Sequence, residues 1–376
     1  MDFTFSPEQE EMRASVRAFL AKFAADGQVR AMLDDPRGFA DAWWEEVTDL
    51  GWPGLLVPER LGGSGLGMVD LSVVQEECGR LPLPGPFFSS SVCATLAVLR
   101  LGEEDLARRL ATGQVRATLA LEEGGIGDPL DSVRVSASPD GAGWRVDGVK
   151  QLVLDGHTAD LAVVVARDAD GLAAFLVDEP AATPVPTLDV TRKAARLELE
   201  GRAARRLGPP GDQTALLARV RDDIDVALCA ETVGAAERAL ELAIDYSKSR
   251  VQFDRPIATF QAIKHKIVDM LHQLELGRVG THWAAWASEV DDPQREAAAA
   301  MCKAFVAEAA NMVTAESIQV HGGVGFTWDV DCHLLFRRVK QNDVLFGGQS
   351  WQRRRLADLV IGGGSADDSR SAAPLI

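Results

Sequence analysis

Four Asp-Gly pairs crowd the middle of this chain, at Asp140-Gly141, Asp147-Gly148, Asp155-Gly156 and Asp170-Gly171. Asp-Gly is the dipeptide that best accepts the positive φ angles of tight hairpin turns, so the stretch around these pairs must be built from short strands. Apolar runs lie beside them at 133–135, 144–146, 162–165 and 173–177. They predict an antiparallel β domain over residues 119–213. Helical segments do not alternate with these strands, which argues against a Rossmann fold despite the 34 glycines. Gly124-Gly125-Ile126-Gly127, taken alone, reads as a loop between strands.

On both sides the periodicity becomes helical. In residues 1–118, Ser6-Pro7-Glu8-Gln9 is a capping box with proline at the first helical position, and Met12, Phe19, Leu20 and Phe23 follow at helical spacing. Segments 42–50 and 69–81 are also helix-like, separated by a loop at 51–67 crowded with Gly and Pro. This block reads as a small helical bundle. Residues 214–362 carry three long seams: Val226 to Ala243, Phe260 to Leu274, and Cys302 to Met312, each stepping by three and four. Such seams predict antiparallel helices packed at roughly +20°. The third helix is predicted to begin with Pro293 and stop at Gly322-Gly323. The tail 363–376 has no apolar period and is expected to be disordered.

Composition removes several functions. Lys and Arg number 39 against 56 Asp and Glu, a net charge of −17, which is unsuited to a nucleic-acid surface. No apolar run approaches the roughly 18 residues of a membrane span, and the amino terminus lacks a basic start, so a cytoplasmic protein is expected. The five cysteines show no CxxC spacing, and no acidic or thiol ligand is placed to join His265 and His272, so no metal site is predicted.

Longer motifs stand inside this frame. The first block holds Leu50 to Glu59 (LGWPGLLVPE), Gly62-Gly63-Ser64-Gly65 and Glu76-Glu77-Cys78-Gly79-Arg80. The third holds Tyr246 to Ile257 (YSKSRVQFDRPI) with Phe260-Gln261, and Gln319 to Phe326 (QVHGGVGF). In this order the motifs resemble the acyl-CoA dehydrogenase family over nearly the whole length. The resemblance implies an α+β fold: an N-terminal helical bundle, a middle antiparallel β domain and a C-terminal four-helix bundle. It also implies FAD at a subunit interface and oxidation of an acyl-CoA between its α and β carbons, with a carboxylate base taking the α proton.

By the same resemblance Arg250 faces the FAD pyrophosphate, Phe253 and Gln261 contact the cofactor, and Gln319 with Gly322 and Gly323 forms a turn approaching the dinucleotide. A planar guanidinium and exposed glycine backbone suit a phosphate ester. Asp254 replaces the family's glycine after Phe253.

The flavin end differs. Where the family carries Thr-Glu-Pro-Gly-x-Gly-Ser-Asp, this chain has Leu121-Glu122-Glu123-Gly124-Gly125-Ile126-Gly127-Asp128, and where it carries Trp-Ile-Thr, this chain has Leu152-Val153-Leu154. Hydrogen-bonding groups for the ring edge have become branched hydrocarbon, which would leave flavin heteroatoms unpaired. The family's two base positions fall on Phe346 and Ile224, neither of which takes a proton, so no catalytic residue is assigned. Asp223, Asp225 and Asp343 lie near these positions and read as solvated acidic residues.

A chain that keeps the nucleotide grip but lacks ring pocket and base is suited to completing another chain's site. It resembles the base-less subunit of actinobacterial heterotetrameric steroid acyl-CoA dehydrogenases. The expected partner is therefore a homologous catalytic subunit in an α2β2 assembly. That partner would bind most of a steroid side-chain CoA thioester. Two other readings stay open: the fold reused for different flavin chemistry in a biosynthetic pathway, and an acyl-CoA-binding protein without chemistry.

Overall fold

The computed structural model describes residues 5–25, 27–125 and 127–361. Ile126 and the tail from 363 lie outside the described residues. The first block comprises α1 (Pro7–Ala25), α2 (Gln28–Ala31), α3 (Asp41–Asp49), α4 (Met68–Arg80), α5 (Thr95–Arg100) and α6 (Glu104–Ala111). The capping box forms as its sequence specifies: the Gln9 amide donates to Ser6 Oγ at 3.2 Å, and the Ser6 amide donates to Gln9 Oε1 at 3.0 Å. A π-helical stretch at Phe87–Ala94 runs directly into α5. The sequence reading missed it because three consecutive serines interrupt the apolar period.

The middle block contains β1 (Ala117–Ala120), β2 (Ser136–Asp140), β3 (Gly143–Asp147), β4 (Val149–Leu154), β5 (Leu161–Arg167), β6 (Leu172–Asp178), β7 (Ala182–Val185), β8 (Ala194–Glu198) and β9 (Arg202–Arg206). One sheet has the order β1-β5-β2-β3-β9-β6 with β5 also paired to β6, and a second has the order β4-β8-β7. Pairing is mostly antiparallel, with one correction: β1 runs parallel to β5, and β2 meets β5 in parallel at Ser136 and Arg167. A long excursion returns the chain to β1 in the same direction, which hairpin signals cannot reveal.

Two Asp-Gly pairs, Asp140-Gly141 and Asp170-Gly171, close hairpins. Asp147-Gly148 instead passes the chain from the first sheet to the second. The expected strand at 133–135 is absent. There the Glu123 carboxylate accepts the Arg134 and Val135 amides in place of a ladder.

The third block comprises α7 (Thr214–Ser249), the short hairpin β10 (Val251–Gln252) and β11 (Arg255–Pro256), α8 (Gln261–Glu289), α9 (Arg295–His321), α10 (Cys332–Val344) and α11 (Gln349–Ile361). Helices α7, α8 and α9 pack on one another, and α10 and α11 lie against α9. Helix α9 starts two residues after Pro293, because Asp292 accepts the Gln294 and Arg295 amides and holds Pro293-Gln294 in a turn. Helices α4 and α7 cross at two glycines. A Cβ on Gly79 would meet the Glu231 carbonyl oxygen at 1.8 Å, and one on Gly234 would meet that of Glu76 at 1.8 Å.

A buried polar network joins the blocks. Arg338 on α10 bonds Glu231 on α7 at 2.7 Å, Thr191 at 2.6 Å and the Leu83 carbonyl at 3.2 Å, and it pairs with Asp189. Burial pushes Glu231 up, but the guanidinium groups of Arg192 and Arg338 outweigh it and hold the carboxyl at about 2. Among the described residues no helix is long and apolar enough to cross a membrane.

Candidate functional site

Phe346 and Ile224, where the resemblance puts the two base positions, are both buried. Phe346 follows the end of α10 with φ +58°, and its backbone N–H donates to Glu122 Oε1 at 2.8 Å. Gln151 at the centre of β4 donates its amide to the Glu122 carbonyl at 2.9 Å. These two bonds bring Leu121-Glu122, Gln151-Leu152 and Phe346 to one place. The side chains of Leu121, Leu154, Ile224 and Phe346 belong to the main hydrophobic core, with Leu152 packed against it.

Two of the neighbouring carboxylates, Asp223 and Asp225, are buried and not solvated, contrary to expectation. Asp223 accepts from Arg100 at 2.9 Å and from Ser288 at 2.5 Å, and it pairs with Arg219 at 3.1 Å. Asp225 accepts from Gln352 at 2.8 Å and faces Lys303 Nζ at 3.4 Å. Burial raises Asp225 to about 7 against the opposing pull of Lys303 and Arg221. Asp343 is half-buried and accepts from Asn311 at 3.1 Å and Gln349 at 3.3 Å. Each is committed to structure.

Polar groups around the cleft were not assigned from sequence. Lys150 is fully buried, donating to the Leu121 carbonyl at 3.1 Å and to Glu123 at 2.5 Å, and desolvation lowers it to about 8. Lys303 donates to the carbonyls of Asn342 at 2.7 Å and Leu345 at 3.1 Å. Burial raises Glu122, with the Phe346 amide opposing. Their partners are far away in the chain, so no local pattern could reveal them.

The predicted nucleotide contacts occupy a different, exposed surface. Arg250 follows α7, and its guanidinium makes no ion pair or hydrogen bond with the described residues. Phe253 and Asp254 form the tip of the β10–β11 hairpin with φ +54° and +61°, the left-handed pair that such a turn requires. Aspartate tolerates that region better than most residues, which explains how Asp254 replaces a glycine. Phe253 is 85% exposed, and Gln261 opens α8 exposed. Gln319, Gly322 and Gly323 are exposed at the end of α9. The two motif groups meet where the Tyr246 ring stacks on His321, with centroids 4.5 Å apart.

A family model described as the acyl-CoA dehydrogenase N-terminal domain matches residues 6–117, and one described as the C-terminal domain matches residues 226–361. The chain belongs to the acyl-CoA dehydrogenase family. It is 33% identical over 359 residues to acyl-CoA dehydrogenase IpdE2 of Mycobacterium tuberculosis, covering 94% of this chain and 98% of that relative. Its structure is similar to that of a variant of the Tcur3481-Tcur3483 steroid ACAD, with TM-score 0.87 and 33% identity over 96% of this chain and 99% of the other. It is also similar to the ChsE4-ChsE5 complex of Mycobacterium tuberculosis, with TM-score 0.87 and 29% identity over 96% and 99% of the two chains.

Acyl-CoA dehydrogenases are FAD-dependent. The two halves of that cofactor fit this acyl-CoA dehydrogenase chain differently. An isoalloxazine needs room and hydrogen-bonding partners, and the cleft defined by Leu121, Leu152, Leu154 and Phe346 offers packed hydrocarbon. A cavity of about 340 Å³ lies elsewhere, between Leu56, Met68, Leu96 and Arg100. The ring does not fit. The pyrophosphate does suit the other surface, where Arg250 is unpaired among the described residues and a Cβ on Gly322 or Gly323 would meet nothing within 4 Å, so backbone is open to approach.

Proposed function

We propose that this chain is the non-catalytic subunit of a heteromeric FAD-dependent acyl-CoA dehydrogenase and completes the FAD site of a homologous catalytic partner in an α2β2 assembly. One contrast carries the reading: both base positions are filled by buried hydrocarbon and the ring cleft by packed hydrocarbon, while Arg250 stands exposed with no counter-ion among the described residues. Redox chemistry in such a pair belongs to the partner's flavin, and this chain's part is binding. Arg250 would neutralise the pyrophosphate, Gln261 and Gln319 would supply amide contacts, Gly322 and Gly323 would admit backbone, and Phe253 would cover the nucleotide with an apolar face.

The outward side of α8 supports the same reading. Val268, Leu271, Leu276 and Val279 are exposed there, on the helix that Gln261 opens. Apolar side chains exposed along this helix suit a protein partner. The heteromeric steroid ACADs similar to this chain favour a steroid side-chain CoA thioester, held mainly by the partner, as substrate of the pair in the cytoplasm.

The test is expression alone and with the homologous chain. Alone, the protein should be colourless and inactive. With its partner it should give a yellow complex carrying about half a flavin per chain, since one site is complete in each pair. A yellow, active homo-oligomer would refute the proposal.

A further inference from the structure

We propose that Glu122 is the positioning residue that seals the degenerate cleft. It holds the Phe346 amide, and so keeps the loop after α10 in place with the phenylalanine ring filling the space where the family places its base. The inference rests on the non-catalytic reading above and adds the device that enforces it.

The loop needs a restraint. Phe346 has φ +58°, a region bulky L-residues rarely adopt because Cβ crowds the neighbouring backbone, and Gly347 follows at +105°. Such a conformation persists only where its surroundings over-determine it. Here they act from two directions. Lys303 Nζ draws in the carbonyls of Asn342 and Leu345 at 2.7 and 3.1 Å. Glu122 Oε1 takes the next amide, that of Phe346, at 2.8 Å.

Glu122 is itself anchored. Its carbonyl accepts the Gln151 amide at 2.9 Å, and Lys150 ties down the preceding carbonyl, of Leu121, at 3.1 Å. The bond therefore pins the C-terminal block to the β domain at the vacated base position. Placing a carboxylate in this apolar cleft is costly unless a donor satisfies it, and an N–H···carboxylate bond is stronger than a neutral one. The family motif matched at 121–128 also has a glutamate at this position, so Glu122 is kept where Leu121 beside it is hydrocarbon, and its carboxylate here accepts the Phe346 amide.

Amide hydrogen exchange read at Phe346, in the lone chain and in the complex, tests this. Wild-type Phe346 should be protected. Glu122→Gln, whose side-chain carbonyl still accepts, should keep most of that protection. Glu122→Ala should speed exchange by on the order of tenfold or more, with the complex still holding one flavin per pair. Should Glu122→Ala not fold, the wild-type amide and the glutamine variant carry the test. A fast-exchanging wild-type amide would overturn the assignment, as would an alanine variant as protected as wild type or a glutamine variant no better than alanine. Loss of flavin from the Glu122→Ala complex would also overturn it, because Glu122 would then serve a working site. Failure of the non-catalytic reading is seen separately, as flavin in the lone wild-type chain.

Discussion

The backbone N–H of Phe346 donates to the Glu122 carboxylate at 2.8 Å, joining residues 224 positions apart. Phe346 stands where the family resemblance puts a catalytic base. On the proposed function this region is interior with its own packing and hydrogen bonds.

Restoring a carboxylate at that position should not restore activity. Phe346→Glu would exchange a buried ring for a charge beside Glu122, with no flavin within reach. We expect a loss of roughly 3–5 kcal/mol in urea unfolding, the scale of removing a buried aromatic side chain, and no dehydrogenation by the lone variant. Turnover by that variant would contradict the proposed function.

Arg250→Ala should act on the complex and spare the monomer. The side chain is exposed and unpaired among the described residues, so the lone variant's melting temperature should match wild type. Removing a charge-assisted contact of roughly 1.5–3 kcal/mol should weaken FAD retention by about 10- to 100-fold, read from the flavin-to-protein absorbance ratio. Full retention would assign Arg250 elsewhere.

The α8 face should govern assembly. Val268 is 60% exposed and Leu276 47%, so Leu276→Asp should leave the lone chain folded, within about 0.5 kcal/mol of wild type. Co-expressed, the variant should elute from size exclusion apart from its partner. Normal co-elution of Leu276→Asp and of Val268→Asp would place the interface on another surface.

Asp225 should give the fold a dependence on pH. Its carboxyl titrates at about 7 in the folded chain against an ordinary value of 3.8, chiefly because of burial. A raised folded pKa means the native state holds the proton more tightly. The stabilisation is therefore complete below about pH 4 and lost as pH rises through about 7. Urea unfolding at pH 4 and pH 8 should show wild type losing more stability over this range than Asp225→Asn does, by on the order of 4 kcal/mol. Equal slopes would mean that Asp225 stays ionised in the native state.

Local chemistry was legible in the chain itself. The Ser6–Gln9 box, the hairpin turns at Asp140-Gly141 and Asp170-Gly171, and the seams of α7, α8 and α9 each depend on residues within a few turns of one another, so their pattern survives without tertiary context. The order of helical, β and helical blocks follows from them. The hydrocarbon side chains of Phe346 and Ile224, where the resemblance puts the family's bases, are likewise read directly from the sequence.

What the fold alone decided is where charges end up and which distant groups meet. Asp223 and Asp225 look like surface carboxylates in an acidic protein, yet both are buried because Arg100, Arg219, Ser288, Lys303 and Gln352 converge on them. The parallel pairing of β1 with β5, the stacking of Tyr246 on His321, and the Glu122 bond to Phe346 likewise join separate parts of the chain. Burial and hydrogen-bond partnership are properties of the packed whole. A residue's neighbours in sequence determine its backbone preference, but only neighbours in space determine whether its charge is solvated, paired or used.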